Sequence, residues 1–292
     1  MNTKRIVSLF ASLSLVLSMS LGLTGCGDKA AQDDNQGSTD GEGTKYTVGI
    51  CQHVQHDALD AATKGFRDAI TDALGADNVT FDEQNAAGDT PTCATICNGF
   101  VSDGVDLIMA NATGALTAAA AATSDIPILG TSITAYGVAL DIDDFDGTVG
   151  GNISGTSDLA DLEAQANMIT EWFPEAKKVA LLFCSGEPNS RYQIEEVAKC
   201  LSAKGIETKE FAFTDTNDVA SVTQSAADYA DVVYVPTDNT AASNTEAIAN
   251  ILVPAGVPAI CGEEGICKGC GVATLSISYY DLGVTTGKMA AK

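Results

Sequence analysis

From Lys45 onward the chain alternates short apolar runs with longer helical segments, and it completes that plan twice. Runs at Thr47 to Cys51, Val79 to Asp82, Val105 to Ala110 and Pro127 to Gly130 read as strands, with helices expected over Asp57 to Leu74, Thr90 to Val101 and Gly114 to Ala122. After Gly155 the order recurs, beginning with a helix over Asp158 to Trp172, strand Lys178 to Cys184 and helix Asn189 to Ala203. Strand Ile206 to Phe213, helix Asn217 to Tyr229, strand Asp231 to Val235 and helix Thr240 to Pro254 follow, then strands Pro258 to Cys261 and Val272 to Ser276. Val105 to Thr113 parallels Ala230 to Asp238 at an offset of about 125 residues, each an apolar strand running into a hydroxyl before a helix. Alternation of this kind builds parallel sheets wound by crossover helices, so an α/β fold of two Rossmann-like lobes is expected. The expected bounds are 45–155 for the first lobe and 156–276 for the second, with 277–292 returning to the first. The carboxyl ends of both sheets then open onto one cleft, where ligands of such folds bind.

The first residues carry a different signal. Lys4 and Arg5 precede Ile6 to Leu23, an apolar run without charge that ends at Leu23-Thr24-Gly25-Cys26. A run of this length borders on a membrane span, but small residues leading into a cysteine resemble the lipobox of bacterial lipoproteins. On that reading 1–25 is a signal peptide and Cys26 carries the lipid. Residues 27–44 have no large apolar side chain, cannot offset the entropy of folding, and form a flexible tether with Cys26 over 26–44. The expected location is extracytoplasmic, anchored to the cell membrane through Cys26.

Charge narrows the partners. With 15 Lys and Arg against 39 Asp and Glu, the net charge is −24, which opposes binding to nucleic acid. Besides Cys26 there are eight cysteines. Cys51 and Cys184 fall in apolar strands, Cys93 and Cys97 share a helix face, and most are expected to be free thiols that pack as small hydrophobes. Cys261 with Cys267 and Cys270 leaves a redox pair or part of a metal site as an alternative, which a lone C-x-x-C supports weakly.

The strand-to-helix loops supply the candidate binding residues, because each sets polar side chains and free helix N–H groups at the same sheet edge. From the first half come Gln52, His56, Thr113, Thr131 and Ser132; from the segment that follows it, Thr156, Ser157 and Asp158. The second half adds Ser185, Glu187, Asn189, Asp238, Asn239 and Glu263, and the returning segment adds Tyr279. These loops hold hydroxyls, amides and carboxylates and almost no Lys or Arg, Arg191 excepted. A zwitterionic solute fits that balance, its ammonium facing Glu187 or Asp238. Ser, Thr, Asp and Asn also cap helices without any ligand, and Asp158, Asn189 and Asn217 are good cap candidates. His53 and His56 lie three apart, yet no H-E-x-x-H, nucleophile elbow, phosphate loop or dinucleotide fingerprint stands in a strand-to-helix context. No catalysis, cofactor or metal is expected. Gly147 to Gly155 is glycine-rich and is expected to serve the crossing between lobes.

Several motifs then carry a family resemblance in the right order: Ile50-Cys51-Gln52 with His56 to Asp60, Gly130-Thr131-Ser132, Gly155 to Asp158, Ser185 to Ser190, Val235 to Thr240 and Tyr279 to Gly283. From about Tyr46 to the last residue the chain resembles the ABC transporter substrate-binding family associated with tryptophan and tyrosine uptake. The resemblance implies a type I periplasmic-binding architecture with the ligand held between lobes. It also implies a monomeric receptor that hands a small solute, an aromatic amino acid, to an ABC permease. A sensory protein of the same fold, signalling to a membrane receptor, is the alternative. The chain departs from the family pattern at Asp57 and over Ile133-Thr134-Ala135-Tyr136, both near the expected cleft. Tyr136, Tyr279 and Tyr280 are candidates to stack on an aromatic ring. The chain stops at Lys292 within an amphipathic run, and further closing elements are expected beyond it.

Overall fold

The computed structural model describes residues 44–292, so the expected signal peptide, Cys26 and nearly all of the tether lie outside the described residues. The first lobe is a parallel sheet of order β2-β1-β3-β4-β5. Its strands are β1 (Tyr46–Gln52), β2 (Val79–Asn85), β3 (Leu107–Asn111), β4 (Ile128–Ile133) and β5 (Ile153–Ser157). Helices α1 (Asp57–Leu74), α2 (Thr90–Asp103), α3 (Thr113–Ala122) and the short α4 (Tyr136–Ala139) connect them. Both faces of the sheet are covered, as parallel sheets require. Val48, Ile50 and Met109 pack with Phe66 and Ile70 of α1 on one side, while Cys51, Ile108 and Ile128 pack with Phe100 and Leu116 on the other. The alternation of β1 is therefore a division of side chains between two helical layers.

The second lobe repeats the plan with order β10-β9-β8-β6-β7. It contains α5 (Leu162–Trp172), β6 (Lys178–Cys184), α6 (Pro188–Ala203), β7 (Glu207–Phe213), α7 (Val219–Tyr229) and β8 (Val232–Val235). It ends with α8 (Asn239–Ala242), α9 (Thr245–Ala255), β9 (Ala259–Cys261), α10 (Glu264–Cys270) and β10 (Ala273–Thr274). Leu181, Phe183 and Tyr234 meet Ile194 and Val197 of α6 on one face; Leu182, Val233 and Val235 meet Val219 and Ile248 on the other.

The structure corrects the sequence reading in several places, and adds the helices α4 and α10 where none was expected. The glycine-rich stretch turns at Gly150 and Gly151, with φ of 77° and 61°, and feeds an edge strand, β5, rather than the crossing itself. The helix expected from Asp158 starts at Leu162, where the Asp161 carboxylate accepts the Ala164 N–H at 2.9 Å. The helix expected over Thr240 to Pro254 is two, interrupted at Ser243 and Asn244. Asp218, not Asn217, stands at the start of α7.

Two described segments, 158–161 and 275–278, carry the chain between lobes, and α11 (Tyr279–Ala290) then packs against α1. That packing is backbone on backbone. A Cβ on Gly283 would meet the Ala62 carbonyl and one on Gly65 would meet the Tyr280 carbonyl, so neither helix tolerates a side chain there. Alanine normally strengthens a helix over glycine by about 1 kcal/mol. Here the sign reverses: Gly283→Ala is expected to destabilise the protein by about 1–3 kcal/mol in chemical unfolding, the cost of overpacking a close contact.

Candidate ligand-binding cleft

The carboxyl ends of both sheets face each other, and the lobes enclose a pocket between them. Its walls are His56, Leu59, Thr113, Ser132 and Thr134 from the first lobe and Asn189, Thr237, Asp238, Asn239, Ala242 and Glu263 from the second. Asp158 of the first crossing segment and Tyr279 at the start of α11 complete it. The lobes are closed on one another, leaving room for about one water molecule. A larger solute can enter only with the lobes apart.

Asp158 is the chemical centre of this pocket. It is 4 % exposed; its Oδ2 accepts the Tyr279 hydroxyl at 2.8 Å, and its Oδ1 has no partner. Burial raises the Asp158 pKa above the usual carboxylate range, opposed by hydrogen bonding from Tyr279, then from the Thr134 hydroxyl and its own backbone N–H. Burial first, and then the charge of Asp158, holds the proton on Tyr279, which keeps it a donor. An ionised carboxylate with one oxygen unsatisfied is costly in such a site unless a cation or donor joins it. The start of α3, which no side chain caps, also borders the pocket. Thr113 occupies its first position, and the Ser132 hydroxyl is buried there without a partner. Ala112 and Ser132 both adopt positive φ, 83° and 56°, a backbone strain that the surrounding structure must hold in place. One side of the pocket therefore offers a negative charge and another offers donors.

The second-lobe wall is built around a carboxylate that has no capacity left. Glu187 Oε2 accepts Asn239 N at 2.9 Å and Asn239 Nδ2 at 2.7 Å, and Oε1 accepts Thr240 N at 2.8 Å and its hydroxyl at 2.9 Å. Asp238 accepts Cys184 N and Ala241 N, each at 2.7 Å. Sequence reasoning set a ligand ammonium against Glu187 or Asp238; the structure gives both carboxylates to backbone amides and leaves Asp158 with the free oxygen. Glu263 likewise caps α10, accepting Gly265 N at 2.6 Å and Ile266 N. Burial raises the pKa of Asp238 and of Glu263, and for Asp238 the Glu187 charge adds to the effect.

Of the residues proposed from the loops, His56, Thr113, Ser132, Asp158, Asn189, Asp238, Asn239, Glu263 and Tyr279 come together in the pocket. The others do not. Gln52 is held inside the first lobe by Thr63 and Asp60. Thr131 and Thr156 join Thr286 in a hydroxyl cluster under α11. Ser157 donates to Thr134 O, Ser185 to Phe213 O, and Glu187 lines only an outer mouth of the cleft. Asn189 sits inside the first turn of α6 and donates to Glu187 rather than capping a helix. Leu59, Thr134, Thr237 and Ala242 also line the pocket and were not among the candidates; of these Leu59 and Ala242 are apolar residues about one turn into a helix, which a search for polar loop residues passes over. Tyr136 hydrogen-bonds Gly130 O and Thr156 O within the first lobe, and Tyr280 reaches Asp68 on the surface, so Tyr279 alone of the candidate aromatics lines the pocket. The eight described cysteines are free, and among the described residues no group of three or more His, Cys, Asp or Glu is arranged to hold a metal.

Comparison with known proteins agrees with this architecture. The sequence pattern of the ABC transporter substrate binding proteins matches residues 47–292. A tyrosine-binding protein of Clostridioides difficile strain R20291 is 34 % identical over 99 % of this chain and 83 % of its own length. The crystal structure of an ABC domain in complex with L-Trp from Streptococcus pneumoniae superposes with a TM-score of 0.81 at 31 % identity, covering 85 % of this chain and 84 % of that one. A ligand-free, open substrate-binding protein with adhesive properties from Clostridium difficile is more similar in sequence, 34 %, yet superposes less well, with a TM-score of 0.61 over 84 % and 83 % of the two chains. The fold and cleft are those of a type I periplasmic-binding protein, and the relatives are solute-binding proteins rather than enzymes. The chain belongs to the ABC transporter substrate-binding family and is a substrate-binding protein of an ABC system.

The buried acids fix how stability depends on pH. Asp158, Asp238 and Glu263 have raised folded pKa values, so between the ordinary carboxylate pKa and those raised values the folded state binds more protons than the unfolded one. Stability therefore falls as pH rises through that window. The ligand-free protein is expected to melt at a higher temperature near pH 5 than near pH 8, read by differential scanning calorimetry; a midpoint that rises with pH would contradict the burial assigned to these groups.

Proposed function

We propose that this chain is a lipid-anchored, monomeric receptor outside the cell membrane that captures an aromatic L-amino acid and delivers it to an ABC permease in the same membrane. The observation that carries the ligand class is the buried Asp158 carboxylate of the pocket wall, with one oxygen fixed by Tyr279 and the other buried without a partner. An α-ammonium on that oxygen satisfies it. The α-carboxylate then reaches the uncapped start of α3 and the hydroxyls of Thr113 and Ser132, where N–H groups and the helix dipole favour an anion. Leu59, Ala242 and the Tyr279 ring supply the apolar surface for the side chain. The relatives that bind tyrosine and tryptophan support this ligand class. Closure is the signal the permease reads: the present lobe arrangement superposes better on the tryptophan complex than on the open, ligand-free relative, and binding energy shifts the population toward that closed form.

Calorimetric titration with the twenty amino acids is expected to give micromolar or tighter binding of tyrosine, tryptophan or phenylalanine. Asp158→Asn is expected to weaken that binding by about 100-fold, since it removes the charge that pairs the ammonium. For the wild type, affinity falls as pH drops through the raised Asp158 pKa, because the protonated acid cannot pair a cation. Silence from every amino acid, or an Asp158→Asn variant that binds unchanged, would overturn the proposal.

A further inference from the structure

One hydrogen bond spans the cleft between residues 183 apart in the chain: His56 Nε2 lies 3.3 Å from Asn239 Oδ1. It joins the lobes away from the crossing segments, where Tyr279 at the start of α11 also meets Asp158. His56 is the residue before α1 in the first lobe, and Asn239 begins α8 in the second. The direction of the bond follows from the Asn239 environment. Its Nδ2 and its backbone N–H both donate to Glu187 Oε2, at 2.7 and 2.9 Å. A carboxylate accepts only, so the amide NH2 must face Glu187 and the amide oxygen must face His56. The His56 Nε2 therefore carries the proton. Glu187, whose carboxylate accepts five hydrogen bonds, is the fixed post that aims the acceptor.

The position of the pair gives it a use. His56 lines both the inner pocket and the mouth bordered by Gln55, Asp57 and Thr245. Asn239 lines the inner pocket and a second mouth, bordered by His53, Asp89 and Thr240. The bond thus stands between the pocket and both openings, and it can exist only when the lobes are together. We infer that His56 and Asn239 form a latch that holds the closed lobes over the bound solute, with Glu187 positioning the acceptor, and that this contact sets how slowly the solute leaves.

The inference rests on the solute-binding reading of the same cleft, and its test separates the two. Dissociation and association of L-tyrosine and L-tryptophan would be measured by stopped-flow fluorescence on the full chain in detergent. His56→Ala is expected to speed dissociation by about 5- to 10-fold, the loss of one hydrogen bond, while association stays within about twofold. His56→Gln keeps an N–H donor and is expected to return dissociation to within about twofold of wild type. Combining His56→Ala with Asn239→Ala is expected to add no more than about twofold to the faster single variant, because both remove the same bond. Unchanged dissociation in His56→Ala, no rescue by glutamine, or multiplying effects in the double variant would each overturn the latch. If neither amino acid binds, the ligand assignment falls and the latch is read without it. Interlobe fluorescence energy transfer on the ligand-free chain should then show a closed fraction at least about threefold larger in wild type than in His56→Ala, and equal fractions would overturn it.

Discussion

The carboxylate of Asp158 sits where the chain first leaves one lobe for the other, and its surroundings constrain everything near it. Burying an ionised acid costs several kcal/mol unless hydrogen bonds and an opposite charge replace its water. The protein supplies one of these replacements through the Tyr279 hydroxyl, which comes from the start of α11 just past the second crossing. That single hydrogen bond ties the two crossing segments together at the hinge. The second oxygen is left for whatever enters the pocket. A cation bound there acts at the hinge itself, and this is the physical link between occupancy and lobe position in the proposed cycle.

Around this centre the second lobe is tied together by hydrogen bonds within the lobe. Glu187 and Asp238 fix the loop into α8 through backbone amides. Gln165 accepts the Tyr234 hydroxyl at 2.6 Å and donates to Leu275 O at 2.8 Å, which fastens the second crossing to the core of the lobe. Polar groups satisfied in this way rigidify a site. That leaves the crossings as the segments through which a hinge closure of the lobes would act.

Much of the fold was legible because its signal is periodic. Helix α1 and strand β6 have the bounds the sequence predicts, since an apolar stripe on one face of a helix, or a run buried on both sides of a sheet, leaves little choice of register. Strand β5 was not legible: Ile-Ser-Gly-Thr-Ser after a glycine turn lacks an apolar run, and it is a strand only because β4 offers it an edge. The pocket was legible as a set of loops but not as a division of labour. Residue type alone cannot tell a carboxylate that caps a helix, as Glu263 does, from one whose oxygen is free, as in Asp158; that distinction depends on which amide N–H groups the folded chain brings within reach.

The central claim is that a ligand ammonium completes the hydrogen bonding of Asp158. It is tested most directly by titrating the wild-type protein with L-tyrosine and with 3-(4-hydroxyphenyl)propanoate, which keeps the ring and the carboxylate and lacks the amine. The account predicts that the analogue binds at least about 100-fold more weakly, because its insertion leaves a buried carboxylate oxygen without a partner. Equal affinity for the two compounds would contradict it and would move recognition away from Asp158.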